Sequence, residues 1–145
     1  MKISVTFSAD ALIAQLEEMV ERSQNLEPAL EKIGSVLLAA ARAAFETGTA
    51  PSGLPWSPLK HTTLAHKQLN GWPDTILVAT GELRDSIAYT TGTDWVAVGT
   101  DVPYGAEHMT GRDSPTVMSA RQFVGMPEGG EALIVETLME HLLGT

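Results

Sequence analysis

The sequence predicts an α+β domain: a mainly antiparallel sheet with a long helix from the N-terminal half and a C-terminal helix packed on it. Three patterns carry that expectation. Ile87 to Val98 reads as a β-hairpin, with Ile87 and Tyr89 leading into a Thr91-Gly92-Thr93-Asp94 turn and Trp95 to Val98 following as a β-branched and aromatic run. Apolar stripes at helical spacing lie on either side of it in the chain, over Leu30 to Phe45 and Leu133 to Leu142. At the start, Ile3, Val5 and Phe7 alternate with Lys2, Ser4 and Thr6, the period-two pattern of a half-buried strand. The expected sheet joins that first strand, the hairpin and a strand near Phe123.

Taken in order, the first strand gives way to Ser8, an N-cap residue, and to Leu12, Ile13, Leu16, Met19 and Val20, with Glu17, Glu18 and Glu21 facing away. A helix over Ala9 to Arg22 follows. Ser23-Gln24-Asn25 breaks it, Pro28 suits the first turn of the next helix, and Gly48 is its natural stop. Between Ile33 and Ala44 that second helix carries Gly34, Ser35 and several alanines, which let another backbone approach closely, from the sheet or from a neighbouring subunit. From Thr47 to Lys60, Gly48, Pro51, Gly53, Pro55 and Pro58 surround a lone Trp56, so this is a long exposed loop. Thr62 to Leu69 suits a short helix and Asn70-Gly71-Trp72-Pro73 a turn. Tyr104 to His108, between Pro103 and Gly111, suits a single helical turn or an ordered loop. Residues 111–121 form a second exposed arm, and Pro127 and Glu128 open the last helix.

With 145 residues, 43% of them hydrophobic, the chain has the size of one domain over 1–145 with a core of its own. Its 18 acidic and 9 basic side chains give a formal charge of −9, and the basic ones are scattered singly, which argues against a nucleic-acid groove. Such a surface suits docking to a basic protein face. Cysteine is absent, so disulfides and thiolate metal sites are excluded. No stretch has the length and apolarity of a membrane span, and the first residues lack the apolar core of a signal peptide, so a cytosolic product is expected.

No set of nucleophile, base and orienting group is visible, so no catalytic, metal or cofactor-binding residue is assigned. His61 and His66, five apart, share a helix face poorly and lack further ligands. Glu107 and His108 suggest acid–base work, yet a general base needs a pocket and a partner, and a structural hydrogen bond is the reading adopted for His108. Glu82, Arg84 and Asp85 read as an exposed charge network. Arg121, beside Phe123 and just after a flexible loop, reads either as an arginine that pairs across a subunit boundary or as an ordinary surface arginine. Of Trp56, Trp72 and Trp95, Trp56 is the best candidate for a contact outside its own domain.

Several short motifs occur together and in order. They are Pro51-Ser52-Gly53-Leu54-Pro55-Trp56-Ser57-Pro58-Leu59, Thr63, Lys67, Ile76-Leu77, Thr80-Gly81-Glu82-Leu83, Ser86-Ile87, Val96-Ala97-Val98-Gly99, Tyr104 with His108 and Gly111, and Ala120-Arg121-Gln122-Phe123. In this order and spacing the chain resembles the phage virion morphogenesis family, which includes the tail completion proteins of contractile-tailed phages. It departs from the family's pattern at Gly105, Met109 and Gln122. The resemblance implies a non-enzymatic structural protein at the head-proximal end of a tail or in the neck, needed for stable head–tail joining. Alternatives are an assembly factor that leaves the finished particle, and a small hydrolase using His108 with Glu107 or Asp85. The expected partners are further copies of the chain, as a homo-oligomer for which a hexameric ring is one form, and tail tube, terminator or head–neck proteins. Contact candidates are Pro55, Trp56, Tyr104, His108, Arg121 and Phe123. The expected location is the host cytoplasm during assembly, and the virion if the protein is incorporated.

Overall fold

The computed structural model of the protein describes residues 3–6, 8–113 and 118–145. Lys2 and Phe7 of the expected first strand, and residues 114–117 of the expected arm, lie outside them. Six helices and a hairpin follow in chain order among the described residues: α1 (Asp10–Ser23), α2 (Glu27–Thr47), α3 (His61–Leu69), α4 (Glu82–Ser86), β1 (Ala88–Thr91), β2 (Val96–Gly99), α5 (Gly105–Thr110) and α6 (Gly130–Leu143). The α+β class and the antiparallel sheet are as the sequence predicts.

Helix α2 organises the rest. Pro28 occupies its first turn, where a missing N–H costs nothing, and Gly48 ends it in the left-handed conformation at φ 68°, with its N–H on the Ala44 carbonyl. One face of α2 carries the hairpin. A Cβ on Gly34 would lie 2.4 Å from the Tyr89 ring, so this glycine is what lets the strand seat on the helix. The Tyr89 and Thr91 hydroxyls both donate to the Glu31 carboxylate, at 2.8 and 3.0 Å. Of the small residues of α2, Gly34 serves the sheet of the same chain, Ala41 and Ala44 pack in the core, and Ser35, Ala39 and Ala43 stay exposed. Within the hairpin, Tyr89 pairs with Val98 and Thr91 with Val96.

Elsewhere α2 packs against α6, and α6 in turn against α1. Lys32 bridges to Glu140 at 2.9 Å, Arg22 donates from Nη1 to the Leu142 carbonyl at 3.0 Å, and His141 Nε2 sits 2.7 Å from the Asn25 carbonyl. The order of neighbours is therefore hairpin, α2, α6, α1. Helix α1 is outermost and buries none of its residues.

Both strands expected to flank the hairpin are corrected. Ile3 to Thr6 form no strand, because Ile3 and Val5 are 84% and 95% exposed and have no apolar face to cover. Phe123 is fully buried, yet its segment is not a strand. The Phe123 N–H approaches Met109 Sδ at 3.4 Å and the Gln122 carbonyl accepts from the Trp56 indole, so side chains supply the partners that a ladder would. The sheet has two strands among the described residues.

The core is built on Phe45, near the end of α2. Its ring meets Trp56 edge-on at 5.6 Å and Phe123 at 5.5 Å, and Ala41, Ala44, Leu83 and Ile87 close the cluster. Phe45→Ala is expected to lower stability by about 3–5 kcal/mol in urea unfolding, whereas Leu54→Ala, at a position 68% exposed, changes it by less than about 0.5 kcal/mol. Equal effects would mean that the aromatic cluster does not hold the fold.

Candidate functional site

The loop over residues 47–60 closes on itself before it reaches the core. Thr49 and Pro55 form an isolated antiparallel bridge, the Ala50 N–H donates to the Leu54 carbonyl, and the Trp56 N–H donates to the Gly48 carbonyl. Trp56 then enters the core, 6% exposed, and its indole N–H donates to the Gln122 carbonyl at 2.9 Å. The residue singled out for a contact outside the domain is thus an internal anchor, because its ring finds Phe45 and its one polar atom finds a carbonyl. Pro55 stays exposed at the loop's surface, and Phe123 lies in the core.

Arg121 fastens the same two segments on the other side. Its Nε donates to the Ser57 carbonyl at 3.0 Å, its Nη2 to the Pro58 carbonyl at 3.2 Å, and its backbone N–H to the His108 carbonyl at 2.7 Å. The side chain is 9% exposed, and among the described residues no carboxylate pairs with it. Burial pulls the guanidinium below its ordinary pKa, and the group still carries its charge at neutral pH.

Beyond Arg121 a cavity of about 540 Å³ opens between the first turn of α3, the loop over residues 77–83, Tyr104, His108 and Arg121. Lys67 holds the floor of that loop. Its ammonium, 7% exposed, donates to the carbonyls of Pro73 at 2.9 Å, Thr75 at 2.7 Å and Val78 at 2.5 Å, which uses all three of its protons. Burial lowers its pKa and the nearby Asp74 opposes the shift. Leu77, between two of those carbonyls, is held at φ 61°, a left-handed conformation that a side chain disfavours and that a fixed loop must impose.

The opposite wall carries Tyr104, His108 and Glu82. The Tyr104 hydroxyl donates to the Glu82 carboxylate at 3.0 Å, and the Tyr104 ring meets the His108 ring edge-on at 6.0 Å. Burial first, then Glu82, raises the tyrosine pKa. His108 Nδ1 is buried without a hydrogen-bond partner among the described residues, which corrects the structural hydrogen bond expected of it. Burial and then the Arg121 charge push its pKa down, with Glu107 opposing and Arg112 adding to the shift. The carboxylates that a proton-transfer reading needs are engaged elsewhere: Glu107 pairs with Arg112 at 2.9 Å and Asp85 with Arg84 at 2.7 Å. Among the described residues no group of acidic and histidine side chains could hold a metal ion.

A family model matches residues 8–143. The chain belongs to the phage virion morphogenesis family. No curated protein and no solved structure matched it. Membership agrees with the sequence resemblance and supports a role in phage morphogenesis, with a structural part favoured over an enzymatic one. No described helix is long and apolar enough to cross a membrane.

Of the residues marked from sequence, Tyr104, His108 and Arg121 meet at the cavity, while Trp56 and Phe123 lie behind it and Pro55 lies apart. Lys67 and Glu82 were not marked as site residues. Both stand among the residues that carry the family resemblance, and that, with a lone Lys two turns into a short helix before a Gly- and Pro-bearing loop, is the signal the sequence offers.

The depressed His108 pKa has a signed consequence. The unfolded chain takes up a proton near the ordinary value of 6.5 and the folded one does so only at lower pH. This contribution to stability is therefore complete above about pH 6.5 and is lost as pH falls through the folded value. Thermal unfolding of the wild type between pH 7.5 and 5.5 should fall more steeply than that of His108→Gln. Parallel curves would show that His108 is not desolvated.

Proposed function

We propose that the protein is a structural component of the tail-completion or neck region of a phage tail, acting in head–tail joining as a homo-oligomer, in the form of a closed ring. Membership in the morphogenesis family supports the general role. The observation that carries the finer reading is α1. This 14-residue helix buries no side chain, and Leu12, Ile13, Leu16 and Val20 are each at least 50% exposed. Four aliphatic side chains on one helix, spaced at i, i+4 and i+8 with a neighbour, constitute an interaction face that a stable monomer would not retain.

Helix α6, against which α1 packs, adds a second stripe. Val135, Met139 and Leu143 recur every four residues and are 60%, 45% and 40% exposed. Burying about 100 Å² of apolar surface from each of several such residues would contribute on the order of 2 kcal/mol apiece, enough to hold an interface. A tail has rotational symmetry about its axis, and a protein at its end that repeats around the axis does so through a heterologous interface that closes. The Leu54 and Pro55 tip of the 47–60 loop, which points away from the core, is a further contact in this reading. A non-enzymatic role is consistent with the engaged Glu107 and Asp85.

Leu16→Glu together with Val20→Glu should leave the melting temperature within a few degrees, since both positions are exposed. The same pair should abolish self-association measured by light scattering, or binding to the tail, and should block formation of joined particles. A wild-type chain that stays monomeric alone and with purified tails, with the double variant complementing fully, would overturn the proposal. Absence of the protein from purified particles would point to a departing assembly factor.

A further inference from the structure

The surface as a whole is acidic, at −9, yet the cavity beside Arg121 is not. Four of the chain's nine Lys and Arg residues line it, Lys60, Lys67, Arg112 and Arg121, together with His108. Glu82 is the one acidic residue of the lining, and its carboxylate receives the Tyr104 hydroxyl. The lining therefore carries more cationic than acidic side chains, although Arg112 is paired with Glu107.

Arg121 makes the case specific. Its Nε and Nη2 are spent on the Ser57 and Pro58 carbonyls, while Nη1 makes no hydrogen bond to a described residue and is not among the buried atoms left without a partner. One edge of a guanidinium that is itself 9% exposed thus opens on the cavity, held in place by its other edge. Guanidinium edges recognise carboxylates, and a fixed one does so with little ordering cost. Leu59, Leu77 and Leu83 supply apolar wall, beside the hydroxyl residues Thr62, Thr63, Thr80 and Ser119. On the rims, Ala79 and Thr80 make no backbone–backbone hydrogen bond to a described residue, and neither does Leu59. Unpaired backbone groups at a bend over residues 79–80 and in the loop at Leu59 are open to hydrogen bonds with a bound peptide. A volume of about 540 Å³ is also far more than an inorganic anion fills.

We propose that this cavity docks a short acidic and aliphatic peptide segment of another protein, its carboxylate on the open edge of Arg121 and its aliphatic side chain against Leu59, Leu77 and Leu83. The site stands on the cavity alone and does not require the ring. Its occupant is a different surface from the apolar stripe of α1, so one protomer can engage an acidic partner and a second copy at once.

The test is a synthetic array of heptapeptides of random composition, probed with the full-length protein. The bound set should be enriched in Asp or Glu beside Leu, Ile or Val. For the tightest peptide, replacing its acidic residue by Gln should weaken binding about tenfold or more, and Arg121→Gln should do the same. Because Arg121 also fastens Ser57 and Pro58, that variant is paired with Thr63→Trp. Thr63 is exposed on α3 at the cavity, and a tryptophan there fills the space without touching the fold's fastening. Thr63→Trp should remove binding with an unchanged circular dichroism spectrum. Enrichment in basic or uncharged peptides, no enrichment, or binding unaffected by Thr63→Trp would overturn the proposal. Saturation by phosphate alone at micromolar concentration would mark a free-anion site and overturn it equally.

Discussion

The Phe45 ring, which Trp56 meets edge-on and Phe123 at a tilt, is the contact on which the other elements depend. These three residues come from a helix, from a proline-rich loop and from a segment near the C-terminal helix. None of the three could bury its ring alone. Each aromatic pair contributes about 0.5–1.5 kcal/mol beyond the area it buries, and the cluster orders two segments that have no ladder of their own. The polar lacing follows from it: once Trp56 is in place, its indole reaches the Gln122 carbonyl, and Arg121 is brought beneath Ser57 and Pro58.

That arrangement has a functional cost and a functional product. The cost is a charged guanidinium taken out of water with carbonyls and no carboxylate to balance it among the described residues. The product is a rigid cationic edge on a cavity whose floor is held by a second buried cation, Lys67. Neither cation is placed for proton transfer. Both fix backbone, one at the 57–58 segment and one at the 73–78 loop, and so fix the shape of the recess between them.

How much of this is legible in the sequence differs from element to element, for physical reasons. Helix α2 is fully legible because Pro28 and Gly48 mark its ends by backbone chemistry that no tertiary contact alters. The hairpin is legible because its turn and its alternation agree. The alternation of Ile3 and Val5 misleads, since period two shows that a strand would be amphipathic and not that a face exists to receive it. Trp56 misleads in the opposite sense. A tryptophan among prolines reads as an outward anchor, but the Thr49–Pro55 bridge turns the loop back and the ring goes inward. Tyr104, His108 and Arg121 are legible as site residues, and their meeting at a cavity is not, because that depends on Lys67 finding three carbonyls of a loop that forces Leu77 to positive φ. The stripe on α1 is readable, while its lack of a cover within the chain emerges only from the order of packing.

The central claim is that the 56–58 and 121–123 segments are as firmly held as α2 itself, although neither is helix or strand. Native-state amide hydrogen exchange measures this directly. The Trp56 N–H on Gly48 and the Arg121 N–H on His108 should exchange with the same opening free energy as the amides of α2 around Phe45, and should respond to urea in parallel with them. Exchange of those two amides at the rate of exposed loop residues, while α2 stays protected, would contradict the account.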